Sequence, residues 1–220
     1  MLIKVSDHSI DNLNIFESFI SDIWNYDIVN NKYLYDGEIF CINKLDVNEI
    51  IGYFASYRYT YVQSKIGYLG IRTLAVVAAV KCLDGFILVK RSQQVTQDKG
   101  LWELSISGGI EKFSSVDGLV DPEIQIKKEI FEELGIDSKN ISSICYLGYL
   151  EDSSISHVVD LVYQVDINLK ANDIKKIYDI SKNNESTKIL VCQIHNLKQF
   201  FAKKSHNISP ASIRILNLFY

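Results

Sequence analysis

One helix is marked in this sequence at both of its ends. Asp121-Pro122 opens it, with proline at an early position where the helix has no use for the missing N–H. Gly135 follows Leu134, and glycine takes the left-handed turn that closes a helix at little cost. Between these ends Ile126, Ile130 and Leu134 recur at helical spacing, while Glu129, Glu132 and Glu133 share an adjoining face. A helix with an apolar stripe must lie on a core, and the runs around it supply one. Leu74–Cys82 and Phe86–Lys90 are apolar and β-rich, separated by the hairpin signal Leu83-Asp84-Gly85. Trp102–Ser107 reads as a further strand and Gly108-Gly109 as the loop after it. Downstream, Ile144–Leu150, His157–Val165 and Ile189–Ile194 read as strands and Asn172–Ile180 as a short helix. Ser209-Pro210 opens a last amphipathic helix toward Leu218. Strands and helices interleaved this way predict an α/β fold, a sheet covered by helices.

Residues 1–70 read as an N-terminal α+β extension to a domain of residues 71–220. Leu2–Val5 suggests a strand, and Ser9 caps an expected helix carrying Ile10, Leu13, Phe16, Ile20, Ile23 and Trp24. Tyr33–Leu45 reads as strand broken near Asp36-Gly37, and the tyrosine-rich stretch from Gly52 to Tyr61 alternates like another.

Composition excludes several classes. The formal net charge is −4 and no long basic run exists, so a nucleic-acid backbone is not the expected partner. No segment approaches the length of an apolar membrane span, and the first residues lack a secretory pattern; a cytoplasmic protein is expected. Cys41, Cys82, Cys145 and Cys192 form no C-x-x-C pair, which argues against zinc and for small buried thiols.

Three glutamates on one helix face repel one another unless something positive compensates them. Mg²⁺ prefers oxygen ligands and commonly keeps waters and substrate phosphate oxygens, so carboxylates beside a glycine turn make a sensible site for it, with Mn²⁺ as a substitute. The plainer reading is a solvated acidic surface, which most glutamate-rich helix faces are.

The run Lys128-Glu129-Ile130-Phe131-Glu132-Glu133-Leu134-Gly135-Ile136 resembles the second half of a Nudix box. Gly108-Gly109, with Glu111 two residues on, matches its first half, and Gly100 to Leu104 and Phe86 to Ser92 resemble the flanking strands. The likeness covers roughly residues 71–200. It departs from the pattern in three ways: the spacing from Gly109 to Lys128 is too long, so 113–120 holds an insertion; strict spacing puts Val120 where the first glutamate belongs; and Lys128 stands for an arginine that orients the glutamates in the family. Asp117, Asp121 or Glu123 are the available replacements for that glutamate.

The resemblance implies a Nudix α/β/α sandwich with a mixed central sheet. It also implies Mg²⁺-dependent hydrolysis of a phosphoanhydride in a nucleoside diphosphate linked to another moiety. Glu129, Glu132, Glu133 and the Gly108 carbonyl are then the metal ligands. Glu185 matches the place of a late catalytic acid, with Glu151 and Asp152 as weaker candidates; a plain loop glutamate is the other reading of Glu185. Arg91 faces phosphate in such a site or is an exposed strand-end arginine; Trp102 stacks on a base or packs in the core; Lys128 retains the charge of the box arginine. His157 reads as structural. The order of features in the extension is similar to the UDP-sugar-hydrolysing branch, making a nucleotide sugar the first expected substrate. ADP-ribose, nucleoside triphosphates and a non-catalytic nucleotide-binding module are the alternatives. Many relatives are dimers, so a homodimer is expected by analogy.

Overall fold

The computed structural model describes residues 1–7, 15–31, 34–67, 69–95, 98–104, 106–151, 157–181 and 185–219. They gather into two compact units. One comprises Met1–Ala75, Gly109–Gln125 and Glu151–Asp160; the other comprises Val76–Gly108, Ile126–Leu150 and Leu161–Tyr220.

The first unit is built on a mixed sheet. Strand β1 (Leu2–Val5) runs parallel to β3 (Glu49–Ser56), and β3 runs antiparallel to β2 (Glu38–Leu45). Helix α1 (Glu17–Asn30) and helix α2 (Tyr57–Ile66) close this unit around Ile20, Trp24, Tyr61 and Val62. Alternation of tyrosines from Tyr53 to Tyr61 suggested one strand; the strand ends at Ser56 and a helix takes over. Tyr57 and Tyr61, one helical turn apart, both meet the Trp24 ring edge-on, at 6.4 and 5.5 Å. Aromatic packing on Trp24 therefore outweighs the β-propensity of the run. The strand expected from Tyr33 starts at Glu38; Tyr33 itself, like the expected cap Ser9 with Ile10 and Leu13, lies outside the described residues. The insertion at 113–120 folds as a small hairpin, β8 (Ser115–Val116) and β9 (Leu119–Val120), tied to β1 through Lys4 and Leu119.

In the second unit, β4 (Thr73–Cys82, beginning in the first) and β5 (Gly85–Arg91) form the expected hairpin, Lys81 opposite Phe86. Strand β5 is flanked by β6 (Trp102–Glu103) and β12 (Ser186–Cys192), both antiparallel to it. Strand β7 (Ile106–Gly109) pairs with β4, so Gly108 and Gly109 end a strand and are not a loop. Strands β10 (Ile141–Glu151) and β11 (Val158–Ile167) also pair. Helix α3 (Pro122–Leu134) is the acidic helix, and Gly135 after it has φ 71°. Its Ile126, Ile130 and Leu134 are completely buried, each contributing about 2 kcal/mol of apolar burial that fixes the helix.

Helix α4 spans Ala171–Ser181 and α6 spans Pro210–Leu216, with Ser209 capping α6 by accepting the Ser212 N–H. Strand β12 stops at Cys192, and residues expected to continue it enter helix α5 (Ile194–Lys203). Leu197 and Phe201 of α5 pack with Phe86, Leu88, Leu104 and Ile215 in the principal core of this unit. Three cysteines are buried as expected, but Cys145, on β10, is exposed.

Candidate active site

The site lies within the second unit and forms where β7 meets α3. Glu129 and Glu133 are 9% and 5% exposed, so the acidic helix is not a solvated surface along its length. Glu133 Oε1 accepts the Ser107 N–H at 3.0 Å. Glu129 lies directly on Gly108: a Cβ at that glycine would stand 2.0 Å from Glu129 Oε1. A side chain at 108 would push the Glu129 carboxylate out of this position. Glu132 differs from the other two. It is exposed, and its Oε2 pairs with Lys128 Nζ at 3.1 Å across one helical turn.

From the sheet side comes a cation. The β5–β6 register sets Val89 opposite Glu103 and Lys90 opposite Trp102, and at the end of β5 the Arg91 Nη1 donates to Glu103 Oε2 at 2.8 Å. Both side chains are largely buried, 16% and 9% exposed. Glu185 stands just before β12; its carbonyl accepts the Ser92 N–H at 2.7 Å, while Ser186 beside it is 2.6 Å from the Tyr178 hydroxyl. Ser186 sits opposite Arg91 in the β12–β5 ladder. The chain thus brings Arg91, Glu129, Glu133 and Glu185 to one region, and adds Glu103 and Tyr178, which sequence reasoning missed. A short-range signal for Glu103 does not exist, because its partner is set by strand register twelve residues away.

The electrostatics follow from this crowding. Burial pushes the Glu133 carboxyl well above the usual range; Glu185 adds to this, the Ser107 amide opposes it, and Glu129 and Glu103 push further. Burial also raises Glu103, against the pull of Arg91. Burial works to lower Arg91, yet Glu103, Glu133 and Glu185 together raise it above its ordinary value.

The remaining candidates stand elsewhere. Trp102 packs edge-on against Phe200 at 5.8 Å, partly buried against the principal core. Glu151 makes a surface ion pair with Arg72, 2.9 Å, and Asp152 lies outside the described residues. His157 precedes β11 with φ 47°, and its carbonyl accepts the Thr73 N–H. Val120 is buried in β9. Of the residues that might replace it, Asp117 is in the hairpin turn, Asp121 Oδ1 accepts the Glu123 N–H at the start of α3, and Glu123 lies in the first turn.

Among the described residues no group of three or more His, Cys, Asp or Glu side chains is arranged to hold a metal ion. Magnesium does not require one: it is commonly held by one or two carboxylates, with waters and substrate oxygens completing the shell. Two buried acids packed on a glycine cradle, with Glu133 driven up by burial first and then by its neighbours' charge, fit a divalent cation. No helix among the described residues is long and apolar enough to cross a membrane.

No family model and no curated protein matches this chain. Solved structures are. DR0079 from Deinococcus radiodurans superposes with a TM-score of 0.55 at 13% identity, over 83% of this chain and 99% of that one. Tm1382, described as a candidate Nudix hydrolase, gives 0.52 at 12% identity, over 88% of this chain and 96% of that one. The chain has the Nudix fold. A weaker likeness, TM-score 0.49 at 14% identity, is to the Nudix domain of NrtR from Shewanella oneidensis in complex with ADP-ribose, over 67% of this chain and 85% of that one. At these identities the likeness is one of Nudix fold, and what the chain does with it must come from its own residues.

Proposed function

We propose that this chain is a Mg²⁺-dependent Nudix-type hydrolase. It cuts a phosphoanhydride bond in a nucleoside diphosphate linked to another moiety, first of all a nucleotide sugar, giving a nucleoside monophosphate and a sugar 1-phosphate. The observation carrying this reading is the burial of Glu129 and Glu133 against Gly108 and Ser107 on a Nudix fold. Glu129, Glu133 and the Gly108 carbonyl would hold Mg²⁺, or Mn²⁺ in its place, and Glu132 would join them by leaving its pair with Lys128. When bound, the ion neutralises charge on the diphosphate and lowers the pKa of water. Glu185, on a turn pinned by Ser92 and Tyr178, accepts the proton of the attacking water. Arg91 offers its guanidinium to phosphate and Lys128 adds positive charge on the helix, while Trp102 packs on Phe200 and takes no part. The domain of residues 71–220 carries the chemistry, with residues 1–70 as its extension, in a soluble cytoplasmic protein that pairs as a homodimer.

One observation favours a second reading, a nucleotide-binding module without turnover. Lys128, where the box has arginine, offers a single ammonium and pairs with Glu132 at 3.1 Å. A panel of nucleotide sugars, ADP-ribose and nucleoside triphosphates with Mg²⁺, followed by separation of products, decides between them. Turnover lost in Glu132→Gln and Glu133→Gln supports the enzyme. Binding without products from any substrate supports the module. Turnover of ADP-ribose or triphosphates alone replaces the nucleotide sugar and keeps the mechanism.

A further inference from the structure

Helix α4 is tied down at three places, and the last of them is the turn that carries Glu185. At its start the Ala171 N–H donates to Asp84 Oδ2 at 2.7 Å, so the β4–β5 turn satisfies a donor the helix leaves open. Toward its end it rests on the close of α3: a Cβ at Gly135 would stand 2.7 Å from Ser181 Cβ and 3.2 Å from Ile177 Cγ2. Between those two residues lies Tyr178, whose hydroxyl is 2.6 Å from Ser186 Oγ. Ser186 is buried and is the first residue of β12. The pairing of β12 with β5 slips at this point. Ser186 stands opposite Arg91 but Lys188 stands opposite Lys90, so Thr187 is an extra residue. A bulge of this kind disrupts the ladder locally and re-aims the side chains beside it. Beyond the bulge the Ser92 N–H donates to the Glu185 carbonyl at 2.7 Å. That bond holds one atom of the turn and does not by itself set which way the turn faces.

We propose that Tyr178 is the positioning residue of Glu185: from a helix seated on the end of α3, its hydroxyl holds Ser186 and with it the turn that presents the Glu185 carboxylate to the attacking water. The proposal rests on the reading of Glu185 as the proton acceptor. A general base works only within hydrogen-bond reach of the proton it takes. A misplacement of about 1 Å costs on the order of 100-fold in rate. Gly135 closes the helix that carries Glu129 and Glu133, and Ile177 and Ser181 pack on that glycine. Tyr178 therefore sets the base turn against the end of the helix that bears the acids. The sheet gives a weaker hold, because the bulge interrupts the ladder next to Ser186. Removing either hydroxyl of the bond also leaves the other without this partner, so the turn loses its tie to α4 from both sides alike.

Steady-state kinetics of the full chain on the best substrate of the panel tests it. Tyr178→Phe and Ser186→Ala remove the same bond from its two sides. Each should lower kcat about tenfold with KM within about twofold of wild type, and the double variant should lose no more than either alone. Glu185→Gln should lower kcat about 100-fold, the contribution of one general base. In that background Tyr178→Phe should change kcat by less than about twofold, because nothing remains for it to position. Mn²⁺ binding without substrate, read from the free-ion electron paramagnetic resonance signal, should match wild type in Tyr178→Phe, because α3 keeps its seat on Ile177 and Ser181. A Tyr178→Phe variant with kcat within about twofold of wild type overturns the proposal. An equal fall of kcat in the wild-type and Glu185→Gln backgrounds also overturns it, since a residue that merely braces α4 would give that. Weakened Mn²⁺ binding does the same, because the effect would then lie on the acids of α3. If Tyr178→Phe does not fold, Ser186→Ala in both backgrounds decides by the same criteria. Glu185→Gln that keeps kcat within about threefold of wild type removes the base and this proposal together. Glu185→Gln that loses activity while Tyr178→Phe and Ser186→Ala do not removes this proposal alone. Wild type that turns over no substrate of the panel removes the enzyme reading, and this proposal with it.

Discussion

Gly108→Ala should separate the site from the fold. The methyl group would lie 2.0 Å from Glu129 Oε1, 2.3 Å from its Cδ and 2.8 Å from Oε2, whereas ordinary contact begins at 3.4 Å. The nearest oxygen therefore has to retreat by about 1.4 Å, the difference between 3.4 and 2.0 Å. What must move is the end of a flexible side chain and not backbone, so the fold can absorb the methyl. Gly108 lies in β7 without a positive φ, where alanine is favoured over glycine by roughly 0.5–1 kcal/mol, which offsets part of the rearrangement. The site cannot absorb it, because displacing a reacting group by about 1 Å costs on the order of 100-fold in rate. Glu129 would be turned off the glycine carbonyl that shares its proposed ion. The expected result is a melting temperature within a few degrees of wild type, with kcat/KM for the best substrate of the panel reduced about 100-fold. Gly109→Ala is the matched comparison: its methyl meets Ile39 Cγ2 at 3.5 Å, an ordinary contact, so it should lose far less. Gly108→Ala with activity within about threefold of wild type would refute the placement of Glu129 in the reacting site.

Glu133 gives a pH prediction. Its folded pKa lies above the unfolded value, first through burial and then through Glu185. The protonated form therefore contributes stability that is complete below the unfolded glutamate pKa and is lost as pH rises through the folded one. In metal-free protein, Glu133→Gln should gain melting temperature over wild type as pH is raised across that interval, and a constant difference would show that Glu133 titrates normally. Tyr178→Phe removes the 2.6 Å bond to Ser186 beside Glu185. It should cost about 1 kcal/mol of stability and, if Glu185 is the base, lower kcat while KM holds; steady-state kinetics with denaturant unfolding checks both. A thiol reagent under native conditions should modify exposed Cys145 and spare Cys41, whose thiol is pushed up to about 12 by burial; peptide mapping reads the sites.

How much of this could be read from residues alone depended on the range of the interaction. Helix α3 was legible because both ends and its face are local: proline, the Ile126–Ile130–Leu134 stripe and Gly135 lie within one short segment. So was the β4–β5 hairpin, whose turn is the two residues Leu83 and Asp84. Helix α2 was not, because its partner Trp24 is remote in sequence and the tyrosines alternate as a strand would. Helix α5 carried a readable signal, Leu197 and Phe201 one turn apart, that was masked by assigning Ile194 to the preceding strand. In the site, glutamates and glycine were legible as a spaced pattern. Glu103 and Tyr178 were not, since each is brought to Arg91 or Glu185 by strand register and helix placement. Cys145 was misjudged because an apolar strand sequence does not reveal which strands expose their side chains.

Val120 and Lys128, two departures from the Nudix-box pattern, differ in their surroundings. Val120 is 7% exposed in β9, so a glutamate there would be buried in a hairpin whose cross-strand neighbour is Ser115. Lys128 is 28% exposed and makes an i,i+4 pair of the kind worth a few tenths of a kcal/mol. A single ammonium cannot grip two carboxylates as a guanidinium fork does. On the sheet side the guanidinium of Arg91, 16% exposed, is bonded to Glu103. Placing the Nudix-box arginine at 128 should therefore achieve little. Lys128→Arg changes the donor but leaves it on the Glu132 side of the helix, and kcat/KM should stay within about threefold of wild type. Arg91→Gln on the same substrate should lose far more. If Lys128→Arg instead raised turnover tenfold or beyond, the helix would be lacking an arginine of its own at this position.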